Sequence, residues 1–137
     1  MHPIPRRQLL SLMVAAALAP ATIWAQTPKM YRIGVSKIVS HAALDADEKG
    51  FEAGLSSAGF KEGVNVTYLR RNAQGDMASA DAIARELVAA HPDLIHAIAT
   101  PTAQAVMRAG SKIPLIFSSV TDPVRAGLVP ANSAPGQ

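Results

Sequence analysis

The alternation of apolar and polar residues takes seven successive patterns between Tyr31 and Phe117, and each marks an element. Tyr31 to Ser36 (YRIGVS) is short and mostly apolar, which predicts a first strand. Leu44, Phe51, Leu55 and Ala58 then recur at helical spacing, with Asp45, Asp47, Glu48, Lys49 and Glu52 between them. Gly59 suits the left-handed backbone that stops a helix. Gly50 and Gly54 lie inside this helix and cost helix propensity, so a close approach of helix to sheet is the expected return. Asn65 to Leu69 (NVTYL) predicts a second strand, rich in β-formers. Asn72 to Gly75 predicts a turn, and Asp76 an N-cap. Ala80, Ile83, Ala84, Leu87 and Val88 then mark one face of a second helix. His91-Pro92-Asp93 ends it, because the residue before proline disfavours helix.

Leu94 to Ala99 predicts a third strand, unbroken in apolarity except at His96, as for burial on both faces. Thr100-Pro101 reads as an N-cap followed by proline in the first helical position. Ala103, Val106 and Met107 carry a third helix to Gly110, and Ile113 to Phe117 predicts a fourth strand. The order βαβαβαβ with short connections predicts an α/β fold, an open parallel sheet with helices on both faces. In such a sheet, ligands sit beyond the carboxyl ends of the strands. The stretch Asp93 to Val129 places small hydroxyl residues and one carboxylate, Asp122, at two such ends.

The first residues stand outside this pattern. Arg6-Arg7 precede an uncharged apolar run, Leu9 to Ala19, and then small-residue sites after Ala21 and Ala25. This is the layout of a secretory signal peptide, and the run falls short of the roughly 20 apolar residues that span a bilayer. The string RRQLL resembles a twin-arginine export signal, but ordinary Sec signals also carry paired arginines, so the route stays open. The expected division is a signal peptide at 1–25, an α/β lobe at 26–129 and a linker-like tail at 130–137. A periplasmic location follows from that division. Cysteine is absent, which excludes disulfides, thiolate metal sites and lipoprotein anchoring.

The leader also changes the charge picture. The chain has 13 Lys+Arg against 10 Asp+Glu, and cleavage after Ala25 removes Arg6 and Arg7, leaving 11 against 10. Arg70-Arg71 is then the remaining basic run, an ordinary solvated strand end, so nucleic-acid binding has little support.

Thr100 and Thr102 open the third helix, where backbone N–H groups and the dipole favour an anion such as a carboxylate. Equally, Thr100 could simply cap the helix. Ser118, Ser119, Thr121 and Asp122 follow the fourth strand; Asp122 could pair with an ammonium group, or with Pro123 form a turn. Ser40 and His41 follow the first strand, and Gln74 the second. His41 and Asp45 could grip a metal only with a third ligand, so no metal and no cofactor are expected. His96 in mid-strand reads as a satisfied core histidine. Signatures of nucleophile elbows, phosphate loops and dinucleotide loops are absent. A Ser118–His41–Asp122 triad can be drawn, but these residue types occur in most chains of this size.

Several strings together resemble the ABC-transporter substrate-binding protein family that includes tryptophan- and tyrosine-binding members. They are RIGVSKIVSHAALDADEKGFEAGLSSAGFKEGVNVTY, NAQGD, PDLIHAIATPTAQAV and IPLIFSSVTDPVRAGLV. The resemblance covers Tyr31 to Val129. It implies a flavodoxin-like lobe of the type I periplasmic binding fold, a non-enzymatic role, an amino acid or similar small ligand, and an inner-membrane ABC permease as partner. By position it implies ligand contacts at Thr100, Thr102, Ser118, Thr121, Asp122, Ser40, His41 and Gln74. Such proteins trap the ligand between two lobes, and this sequence carries the first, so a lobe truncated before the hinge and second lobe is expected. A periplasmic sensing module, a small hydrolase and a non-functional fragment are the rival readings.

Overall fold

The computed structural model describes residues 26–131. The leader expected at 1–25, and 132–137 of the expected tail, lie outside the described residues. The elements are β1 (Tyr31–Lys37), α1 (Ala42–Ser57), β2 (Val66–Asn72), α2 (Met77–Ala89), β3 (Leu94–Ile98), α3 (Thr100–Arg108) and β4 (Leu115–Ser118). The strands form one sheet in the order β2-β1-β3-β4, parallel at every pairing. The fold is therefore the α/β open parallel sheet that the pattern predicts.

Strand pleating assigns each residue to a layer. Ala80, Ala84 and Leu87 of α2 and Ala105 and Val106 of α3 pack with Ile95 on one face. Leu44, Phe51 and Leu55 of α1 pack against Ile33, Val35, Val66, Tyr68 and Ile98 on the other. Ile95 to Ile98 are all buried, consistent with cover on both faces of β3. On β4, Ile116 pairs with His96 in register yet is 43% exposed, so the α1 layer stops over β3.

Helix ends follow local chemistry. Asp76 caps α2, its carboxylate accepting from Ser79 N–H at 2.8 Å and from the Ser79 hydroxyl at 2.6 Å. At the end of α1, Gly59 takes φ +93°. Phe60 N–H reaches Leu55 O at 2.9 Å and Gly59 N–H reaches Ser56 O at 3.1 Å, the paired bonds of a Schellman stop.

Three expectations need correction. Gly50 and Gly54 are exposed, and a Cβ at either would meet nothing within 4 Å. They face away from the sheet; the close approach is made by Gly34 of β1, where a Cβ would lie 3.3 Å from Leu87 Cδ2. Ala99, not Thr100, is the N-cap of α3, and it makes no side-chain cap hydrogen bond. Arg70 and Arg71 are not merely solvated. Arg70 donates to Glu52 and makes a two-pronged pair with Glu62, and Arg71 pairs with Glu86.

Candidate functional site

In the order β2-β1-β3-β4, chain direction across the sheet reverses between β1 and β3. The crevice at that reversal is the place where open α/β sheets bind ligands. Lys37 and Ile98, the last residues of these strands, are register partners, so the loops that follow them leave the sheet side by side. The loop after β1 carries Ser40 and His41, and α3 begins directly after β3.

The loops after β1 and β2 are bonded into one body. Ala73 N–H donates to Lys37 O at 2.9 Å and Gly75 N–H to Ile38 O at 2.7 Å. Asn72 Nδ2 donates to Ser40 Oγ at 2.9 Å, while Asn72 Oδ1 accepts from Gln74 N–H at 2.8 Å. Asn72 thereby joins two of the expected site residues, Ser40 and Gln74. His41 has a structural task as well: it caps α1, with Nδ1 accepting from Ala43 N–H at 3.3 Å.

Beneath this loop, Lys37 anchors α1. Its ammonium lies 2.6 Å from Asp45 Oδ1 and 2.5 Å from Glu48 Oε2. Burial lowers the Lys37 pKa, but the hydrogen bonds to Asp45 and Glu48 outweigh it and the net shift is upward. Asp45 is thus engaged with Lys37, and among the described residues no group of three or more metal-ligating side chains assembles.

The third strand ends in a strained turn. Ala99 has φ +88° and ψ 155°, a region open almost solely to glycine. Gln74 at φ +53° and Ser119 at φ +52° are further non-glycine outliers, each at the carboxyl end of a strand. Such strain concentrates at sites of function. At Ala99 it turns the chain straight from β3 into α3. Thr100 and Thr102 N–H groups fall in the unsatisfied first turn, while Pro101 supplies no donor. The two threonines part ways here. Thr100 is half-buried at the rim. Thr102 is fully buried, and its hydroxyl donates to Ile98 O and Ala99 O at 2.8 and 2.9 Å.

After β4, Asp122 shapes its own loop. Oδ1 accepts from Arg125 N–H at 2.9 Å, and its carbonyl accepts from Ala126 N–H at 2.9 Å. The turn reading of Asp122-Pro123 therefore holds, with the carboxylate still exposed. Gln104 of α3 donates to Ala126 O at 3.2 Å, tying this loop to the helix. Thr121 is exposed beside Asp122.

Ser118 faces His96. Nε2 lies 3.0 Å from Ser118 Oγ, and the ring is 1% exposed and packed on Phe51 with centroids 4.2 Å apart. Its Nδ1 is buried with no hydrogen-bond partner among the described residues, so the expectation of a satisfied core histidine is half met. Burial holds the His96 pKa below its ordinary value, against the pull of Asp47, Glu48 and Glu52. Asp47 itself accepts from the Ser119 hydroxyl. The triad drawn from sequence does not form: Ser118 meets His96, His41 caps α1, and Asp122 caps its own turn. Asn72, His96 and Gln104 are the contributors that sequence reasoning missed; only His96 gave a signal, as the one polar break in an apolar strand.

A concavity of about 490 Å3 also lies between α1 and β2, lined by residues including Lys49, Phe60 and Tyr68. It sits away from the strand ends, whose rim is an open shelf of loops.

Comparison with known proteins agrees with this fold. Residues 32–137 match the model of a family described as ABC transporter substrate binding protein. A tyrosine-binding protein of Clostridioides difficile is 45% identical over 108 residues, 79% of this chain and 31% of the relative. A conserved domain protein from Vibrio cholerae is 48% identical, with a TM-score of 0.72 over 74% of this chain and 34% of that one. A Streptococcus ABC domain crystallised with L-Trp is 38% identical, with a TM-score of 0.70 and the same coverage. The chain thus spans about a third of the length of these relatives. The chain belongs to the ABC transporter substrate-binding protein family.

Proposed function

We propose that this chain is the amino-terminal lobe of an exported solute-binding component of an ABC importer, and that its strand-end rim is one wall of an amino-acid site. The observation that carries this reading is the rim at the β1/β3 reversal, with a strained Ala99 presenting the start of α3. It occurs in a chain 45% identical to a tyrosine-binding protein. The ligand is an amino acid with an aromatic side chain, since the relatives' names give tyrosine and L-Trp.

Each residue has a part in this reading. The Thr100 and Thr102 N–H groups and the Thr100 hydroxyl receive the carboxylate. The exposed carboxylate of Asp122 receives the ammonium group. Ser118, Thr121, Ser40, His41 and Gln74 line the rest of the wall. The Thr102 hydroxyl, spent on Ile98 O and Ala99 O, holds the turn and leaves only its N–H for the ligand. The lobe binds and does not catalyse; a permease in the inner membrane is its partner.

The facing wall belongs to the part of the relatives' length that this chain does not span. One wall alone binds weakly, because half the contacts and the closure that traps ligand are missing. Isothermal titration calorimetry with L-tyrosine should give millimolar affinity for the isolated chain. Micromolar affinity would contradict the need for a second wall. Export follows from the basic pair and apolar run of residues 1–25, with delivery to the periplasm. Amino-terminal sequencing of the secreted form should begin at Thr22 or Gln26.

A further inference from the structure

We infer that His96 is a positioning residue that fixes the Ser118 hydroxyl as a hydrogen-bond donor toward the rim, so that the ligand atom met there is an acceptor of the carboxylate class. This deepens the amino-acid reading and rests on it for the ligand's identity.

A serine hydroxyl has one hydrogen to give and two lone pairs. Across the 3.0 Å contact, either Nε2–H donates to Oγ or the hydroxyl donates to a bare Nε2. The two cases differ at the other end of the ring. If the hydroxyl donates, the neutral ring carries its proton on Nδ1, which is buried without a partner. An orphaned buried N–H is rarer than an under-satisfied acceptor, so the proton belongs on Nε2. Neutral imidazole also favours that tautomer intrinsically. Nε2–H then occupies one lone pair of Ser118, and the serine hydrogen must find an acceptor elsewhere.

The surroundings lock this choice. His96 is 1% exposed and lies against Phe51, so Nδ1 is shut off from bulk solvent. Asp47, a carboxylate on the same face, is hydrogen-bonded to the Ser119 hydroxyl and does not orient the ring. Ser118 ends β4, beside the turn that starts α3 and its anion-favouring N–H groups. A donor hydroxyl here extends that carboxylate pocket; an acceptor hydroxyl would oppose it.

Long-range 1H–15N NMR of the labelled chain reads the tautomer without any ligand. The expected spectrum has a protonated Nε2 and a bare Nδ1, with the Nε2 signal displaced in Ser118→Ala. A protonated Nδ1 would overturn the inference. The second arm uses L-tyrosine and tyramine, which lacks the carboxylate, as probes by NMR titration. Ser118→Ala should weaken L-tyrosine several-fold and leave tyramine unchanged. His96→Gln, which keeps an N–H donor, should retain L-tyrosine binding better than His96→Phe. Equal loss for both probes in Ser118→Ala would overturn the carboxylate assignment. No binding of L-tyrosine by the unaltered chain would instead overturn the functional reading, while the tautomer would still be decided by the spectrum.

Discussion

Lys37 Nζ lies 2.6 Å from Asp45 Oδ1, and the lysine side chain is only 12% exposed. This pair fixes the first turns of α1 to the end of β1 and so sets the path of the Ser40–His41 loop between them. Lys37→Met removes the charge and leaves Glu48, itself 13% exposed, with only the more distant Arg70, whose Nε lies 3.6 Å away. A cost of about 1–3 kcal/mol is expected, less than for a fully buried pair because water reaches Asp45. Urea denaturation checks it; a change below the error of that method would mean the pair contributes nothing to the fold.

Ala99 stores strain that glycine would release. Its φ of +88° with ψ 155° costs an alanine about 1–3 kcal/mol, whereas glycine in the unfolded chain gives back about 0.5–1 kcal/mol. Ala99→Gly should therefore raise the urea midpoint. A lowered midpoint would show that the turn is unstrained.

The glycines should respond with opposite signs. Gly50→Ala and Gly54→Ala add a Cβ to open space on a helix and should each stabilise by about 0.5–1 kcal/mol. Gly34→Val drives branched atoms into Leu87 and Ile95 and should destabilise by about 1–3 kcal/mol. Thermal midpoints of the three variants would separate the two kinds of position.

Buried His96 makes stability depend on pH. Its folded pKa lies below the unfolded value of 6.5, so between the two the unfolded chain binds more protons. The contribution is complete above that value and is lost as pH falls toward the folded pKa, by at most about 1.4 kcal/mol per unit. Asp47, Glu48 and Glu52 of α1 pull the other way and soften the slope. His96→Phe should flatten the limb just below pH 6.5 in denaturation curves. An unchanged limb in that variant would assign it to other groups.

The elements were legible wherever the signal is local. Asp76 caps α2 and Gly59 stops α1 as their residue types predict, because a carboxylate meeting free N–H groups, or a backbone without Cβ, needs no tertiary context. Helix orientation was not legible. Gly50 and Gly54 were expected against the sheet, but which side of α1 turns inward is decided by Leu44, Phe51 and Leu55 packing on β1 and β2. The candidate site divides similarly. Strand-end polar residues could be placed by topology alone. The partners that orient them could not: nothing in the string marks alanine at Ala99 for positive φ, or pairs His96 with Ser118 across 22 positions.

The account's central claim is that the strand-end rim holds the amino acid. Backbone amide shifts of the labelled chain, followed during titration with L-tyrosine into the millimolar range, test it most directly. The predicted result is a saturable change confined to Ser40, His41, Gln74, Thr100, Thr102 and Ser118 to Asp122. Changes centred instead on Lys49, Phe60 and Tyr68 between α1 and β2, or none at all, would contradict it.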